Sequence, residues 1–137
     1  MALVQPTTEH GGCSWALTGQ VGHGATAAGS VGCIVNPEGV AIAITKCVVH
    51  GITNSTAACN LTIGYAATAI LAHDTHEIFD AAAQAASAGT AVIGHACGTA
   101  ADALAVVPAG YTIAAFCSDS SAGYTGRAYI EYVRVGE

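Results

Sequence analysis

The sequence predicts an all-β domain, a β-sandwich of about seven or eight strands. Three observations carry that prediction. The last third, Ala103 to Val135, holds three β-forming runs separated by two turn clusters. In the last of those runs Ala128, Ile130 and Tyr132 share one face while Arg127 and Glu131 interrupt the other, the period of a half-buried strand, with Arg134 near its end. Upstream, short apolar runs recur between turns rich in Gly, Pro and Asn, and no fixed-period repeat marks a solenoid or propeller.

Taken in order, residues 1–12 form a polar N-terminal arm ahead of a single domain over 13–137, with Gly11-Gly12 as the break. Cys13 to Thr18 is the first strand, and Trp15, the single tryptophan, is its core anchor. Gly19 to Gly29 is loop. Val31 to Val35 is a short strand closed by the strong turn signal Asn36-Pro37-Glu38-Gly39. Val40 to Val49 is the longest β-branched run, with Val40, Ile42 and Ile44 on one buried face and Ala41 and Ala43 on a closely packed second face. Gly51 to Thr56 turns the chain, and Ala57 to Ala66 is the next strand, Leu61, Ile63 and Tyr65 alternating. Between Ala67 and Ala91 the period changes: Ile78, Phe79, Ala82 and Ala86 line one side of a short helix near 76–87, capped by Asp74 or Thr75. Ala91 to Ile93 is a small strand and Gly94 to Asp102 a loop. Leu104, Val106 and Val107, the turn Pro108-Ala109-Gly110, and Tyr111 to Cys117 precede the final strand.

At 137 residues the chain makes one domain, large enough to bury a core. Its hydrophobic share is 53% and its charged share 9%, against about 25% charged in an average domain. Much of the apolar content is alanine, and no stretch approaches the ~20 strongly apolar residues of a spanning helix. Met1 to Pro6 lacks a basic region followed by an apolar core, so no secretory signal is expected. Three Lys plus Arg against a formal charge of −6 argue against a phosphate-binding surface and a nucleic-acid partner. So few charges leave a largely neutral surface, the kind spent on contact with other protein chains. Six cysteines stand singly, with no CxxC pair. Cys13, Cys33, Cys47 and Cys117 fall in predicted strands and are expected as reduced, small buried apolar residues.

The densest polar cluster is His73-Asp74-Thr75-His76-Glu77, with Asp80 and His95 beyond it. His73 and His76, three apart, share one face of a helical turn and with a carboxylate have the makings of a zinc site. The spacing is not that of HExxH, and the same residues suit the polar start of a helix, so no metal and no cofactor are expected. There is no GxSxG elbow, no cysteine set apart for a Cys–His pair, and no pair of neighbouring carboxylates for hydrolysis. Gly19 to Gly24 has no following lysine and is no phosphate cradle. The reading is of a protein that is not an enzyme. Tyr111, Tyr124, Tyr129 and Tyr132 cluster in the last third, as ordinary half-buried sheet residues or as a face for sugar or protein.

The layout resembles the small jelly-roll decoration proteins, also called cement or head-fibre proteins, that coat tailed-phage capsids. The matching residues are Val35-Asn-Pro-Glu-Gly-Val40, Ile44-Thr-Lys-Cys-Val-Val49, Leu61-Thr-Ile-Gly-Tyr65, and the closing pattern of Pro108 to Ile113 with Ser120 to Tyr132. The resemblance covers roughly residues 30–135 and is a pattern of strands and turns rather than a unique motif. It implies a jelly-roll sandwich acting as a structural virion protein of a bacteriophage. Such a protein is a homotrimer on the outer capsid surface, made in the host cytoplasm, whose partner is the major capsid protein, with no nucleic acid, membrane or cofactor involved. The arm, residues 2–12, is then the capsid-facing or intersubunit strap, with Leu3, Val4, Gln5, Pro6, Thr7 and Thr8 as its contacts. The abundance of cysteine and alanine departs from that family. The alternative is a carbohydrate- or receptor-binding β-sandwich that uses the tyrosines and the His73–Glu77 loop.

Overall fold

The alternating run near the C-terminus forms the strand β9 (Thr125–Val135), with Ala128, Ile130 and Tyr132 buried and Arg127, Tyr129 and Glu131 exposed. In the computed structural model, which describes residues 10–18, 29–53, 61–68, 77–82, 91–92, 105–118 and 122–135, this strand is central to its sheet. β1 (His10–Thr18) pairs along one side of it and β3 (Ala41–Thr53) along the other, both antiparallel. The far edge of β3 is shared by two short strands, β6 (Ala91–Val92) beside Val49 and His50, and β7 (Val106–Val107) beside Ile42 and Ala43. The second sheet runs in the order β2 (Gly29–Val35), β8 (Thr112–Cys117), β4 (Leu61–Ala66), β5 (Glu77–Ala82), again antiparallel throughout.

The two sheets share one core, so the molecule is the all-β sandwich that the sequence predicts. Trp15, Leu17, Ile42, Ile44, Cys47, Val49 and Ile130 enter the core from the first sheet, and Val31, Leu61, Ile63, Ile78 and Ile113 from the second. Each fully buried Leu or Ile contributes about 2 kcal/mol of transfer free energy. At the side of the sandwich where β1 meets β2, Gly32 makes the close approach possible. A Cβ there would stand 3.0 Å from the Ala16 carbonyl oxygen and 3.2 Å from Trp15 Nε1.

Several elements differ from expectation, each for a physical reason. The helix near 76–87 is not found over 77–82, which form the edge strand β5 with Ile63 opposite Phe79 and Ile78 1% exposed. A single short helix is marginal by itself, whereas the open edge of β4 satisfies this segment's backbone directly. Gly11 and Gly12 do not break the chain but lie inside β1, opposite Tyr132 and Glu131. Gly11 is needed there because a Cβ would sit 2.5 Å from the Tyr132 ring. The last three residues of β3, Gly51 to Thr53, extend it into the expected turn. Ala43 is buried as expected, but the inward set of β3 does not keep one parity. A bulge between Ile44 and Lys46 lets Ile44 and Cys47, three apart, both point inward. A second bulge between Ser30 and Gly32 reverses the parity of β2, leaving Cys33 exposed while Cys47 and Cys117 are buried and Cys13 is half-buried.

One end of the sandwich is tied by Asn36, which is 5% exposed. Its Nδ2 donates toward the carbonyl oxygens of Val40 (3.0 Å), Val107 (3.1 Å) and Pro108 (3.0 Å), and its Oδ1 accepts from the Glu38 amide at 2.9 Å. Its own amide donates to Tyr111 O at 2.8 Å. One side chain thereby joins the β2–β3 turn to the β7–β8 turn. In the latter, Tyr111 N donates to Pro108 O, and Gly110 takes a φ of 78°, which a residue with a Cβ rarely adopts.

Candidate functional site

The outer face of the first sheet follows from its register. Three cross-strand rows lie on it: Gly12, Glu131 and Lys46; Ser14, Tyr129 and Val48; Ala16, Arg127 and His50. All but the half-buried Val48 are exposed. The outward positions of β1 are small, so Tyr129, 42% exposed, stands above them beside an open depression of about 740 Å³. Gly12, Ser14, Lys46, Val48 and Glu131 line the same depression. The bulge in β3 has a part here too, because Thr45 Oγ1 donates to the Glu131 carbonyl at 3.0 Å and steadies the β3–β9 pairing beside Lys46.

Charge is unevenly placed. The chain has only three Lys plus Arg, namely Lys46, Arg127 and Arg134, and all three fall on β3 or β9. Arg134 is at the sandwich end, where its Nε lies 3.5 Å from Glu38 Oε2. The other Glu38 oxygen accepts from the Tyr132 hydroxyl at 2.8 Å. Burial, then the hydrogen bond and charge of Glu38, push the Tyr132 phenol up to about 12, with Cys13 adding to the effect and Arg134 opposing it. Lys46 and Arg127 are therefore the cations of the outer face. Burial also pushes the Cys13 thiol up, which keeps it protonated near neutral pH and a poor nucleophile.

The residues singled out in the sequence are distributed as follows. Of the four clustered tyrosines, Tyr124 and Tyr132 are buried and Tyr111 is half-buried, so only Tyr129 presents itself to a partner. Glu77 and Asp80 lie on the edge strand β5, and His50 on the outer face of β3. The arm contacts Leu3, Val4, Gln5, Pro6, Thr7 and Thr8 lie outside the described residues, as do His73, Asp74, His76, His95, Cys59 and Cys97. Among the described residues no three His, Cys, Asp or Glu side chains converge as a metal site would need. The sequence by itself does not mark this face. The signal for its middle strand was present in the outward positions Arg127, Tyr129 and Glu131, but nothing local names the strands that flank it.

No family model matches the chain, and no curated protein or solved structure matches it.

Proposed function

We propose that the chain is a structural virion protein, a homotrimeric jelly-roll decoration (cement) protein that bridges major capsid protein subunits on a phage capsid. The observation that carries this reading is the strand order, β1-β9-β3-β6 in one sheet and β2-β8-β4-β5 in the other. All connections cross between the sheets except β4–β5 and β6–β7, which supports the two interlocked Greek keys of a jelly roll, an architecture used by viral capsid domains. The low charge supports extensive protein burial, since interface cores are depleted of charged residues. In this reading each trimer sits where neighbouring capsomers meet and adds buried area across their junction. The arm, Leu3 to Thr8, straps it to the shell or to a neighbouring subunit by adding a strand to a free sheet edge.

Two measurements test the reading. The native mass of the purified chain, with and without chelator and reductant, should be that of three copies and insensitive to either reagent. A monomer at all concentrations overturns the trimer. Co-sedimentation with empty tailed-phage shells should then saturate, and a chain lacking residues 2–9 should bind more weakly. Equal binding by the shortened chain removes the arm from the mechanism.

A further inference from the structure

We propose that the depression on the outer face of β1, β9 and β3 binds a neutral hexose unit of a glycan, stacked on the Tyr129 ring. The inference goes beyond the decoration reading and does not depend on it. Its first support is shape. The depression, about 740 Å³, falls within the range of about 300–1,000 Å³ usual for ligand sites. Its floor is low because the outward residues of β1 there are Gly12 and Ser14, and Tyr129, 42% exposed, lines it from the neighbouring strand. A tyrosine ring offers a flat apolar face with a hydroxyl at its tip. A pyranose ring is its counterpart, with a face of C–H groups and a rim of hydroxyls.

The second support is the state of the polar groups. Lys46 and Glu131 stand opposite each other in the β3–β9 register, yet no ion pair joins them. Among the described residues neither the Lys46 ammonium nor the Tyr129 hydroxyl has a hydrogen-bond or ion-pair partner. At the end of the same sheet, by contrast, Tyr132, Glu38 and Arg134 are tied to one another. Thr45 Oγ1, 3.5 Å from Glu131 Oε1, steadies the carboxylate without occupying it fully. Lys46 offers donors only, the Glu131 carboxylate acceptors only, and the Ser14 hydroxyl either. Adjacent hydroxyls of one sugar can therefore donate to Glu131 and accept from Lys46 together. Among the described residues that line the depression these two are the charged ones, and they cancel, which favours a neutral ligand over an ion. A protein partner is served less well. Its binding energy needs a desolvated apolar centre, and the outward apolar side chains here are Tyr129 and the half-buried Val48.

Saturation-transfer NMR and affinity electrophoresis of the full chain test this. The probes are the methyl glycosides of glucose, galactose, mannose and N-acetylglucosamine, with the linear oligosaccharides of each. At least one probe should bind saturably, with magnetisation passing between the Tyr129 ring protons and the sugar C–H groups. Tyr129→Ala should weaken that binding about tenfold, whereas Tyr129→Phe keeps the flat face and should retain most of it. Glu131→Gln and Lys46→Met should each weaken it, and Val35→Ser, at an exposed position on the second sheet, should not. Far-UV circular dichroism checks the fold of every variant, and the ring-proton contacts of the wild type carry the test where Tyr129→Ala unfolds the chain. Failure of every probe to bind, or binding untouched by the substitutions at Tyr129, Lys46 and Glu131, overturns the inference and leaves the decoration reading intact. A Tyr129→Ala chain that binds sugar as the wild type does but no longer joins shells in co-sedimentation assigns the face to the capsid and equally overturns it. A monomeric wild type that binds a probe through Tyr129 removes the trimer reading and upholds this inference.

Discussion

Asn36→Asp changes one amide group into one oxygen and leaves the shape of the side chain unaltered. In the native structure three carbonyl oxygens lie within 3.1 Å of Nδ2, which has two hydrogens to share among them. The substitution removes both donors and sets a carboxylate oxygen against three carbonyl dipoles at a position 5% exposed. Two hydrogen bonds at about 1–1.5 kcal/mol each, with a penalty for acceptors left unpaired, give a loss of about 3–5 kcal/mol at pH 7. The sign with pH follows from linkage. The buried carboxyl binds its proton more tightly in the folded state than in the unfolded chain, where its pKa is about 3.9. The deficit is therefore smallest below about pH 4, where both states hold the proton, and grows as pH rises through the folded value. Asn36→Ala loses the same donors without gaining a charge, so its deficit of about 2–3 kcal/mol should not vary with pH. Urea unfolding followed by Trp15 fluorescence at pH 4 and pH 7, each variant against wild type, measures both. A deficit for Asn36→Asp below about 1 kcal/mol at pH 7, or one equal at the two pH values, would refute the assignment of Asn36 as the tie between the two turns.

Three further outcomes follow from the same geometry. Gly126→Ala places a Cβ 2.7 Å from the His50 carbonyl oxygen and 3.1 Å from the Tyr124 hydroxyl. Because the nearer atom is backbone in a central strand pair, the cost should be about 2–3 kcal/mol in chemical denaturation. Ultraviolet titration should show a tyrosine ionising near pH 12, well above the usual value of about 10, and Tyr132→Phe should reduce the late absorbance change by one tyrosine. The folded phenol is the more basic one, so the stability it contributes is complete below about pH 10 and is lost as pH rises toward 12. Thiol labelling of the native protein with peptide mapping should modify Cys33 quickly and Cys13 slowly, with Cys47 and Cys117 modified only on unfolding. Rapid labelling of Cys47 would contradict its place in the core.

The parts of the fold that could be read from the sequence are those where one strand keeps one parity. β9 shows its two faces in its own residues, and Trp15 is identified by being the single large aromatic in a short strand. β2 and β3 hide theirs, because each contains a bulge, and an extra residue moves every later side chain to the other face. Cys33 faces outward for that reason alone. The segment Glu77–Ala82 misled for another: over six residues Ile78, Phe79 and Ala82 fit a helical period as well as a strand, and only the unpaired edge of β4 decides between them. Gly11 and Gly12 look like punctuation until the Tyr132 ring is seen to need the room. The outer face is the least legible, since it exists only once β1, β9 and β3 are brought side by side.

The central position of β9 has a consequence for the order of events during synthesis. β9 begins at Thr125, 115 residues after β1 begins at His10, and both β1 and β3 depend on it for their main pairing. At translation rates of roughly 5–20 residues per second, β1 emerges about 6–23 s before the strand it must join. Through that interval β1 lacks the strand it pairs with, and β3 has in its own sheet the two-residue strands β6 and β7 to pair with but not its long partner. Vectorial folding from the N-terminus is closed to the first sheet. The second sheet, whose central strand β8 ends at Cys117, can assemble earlier and offer its apolar face as the template on which the first is laid.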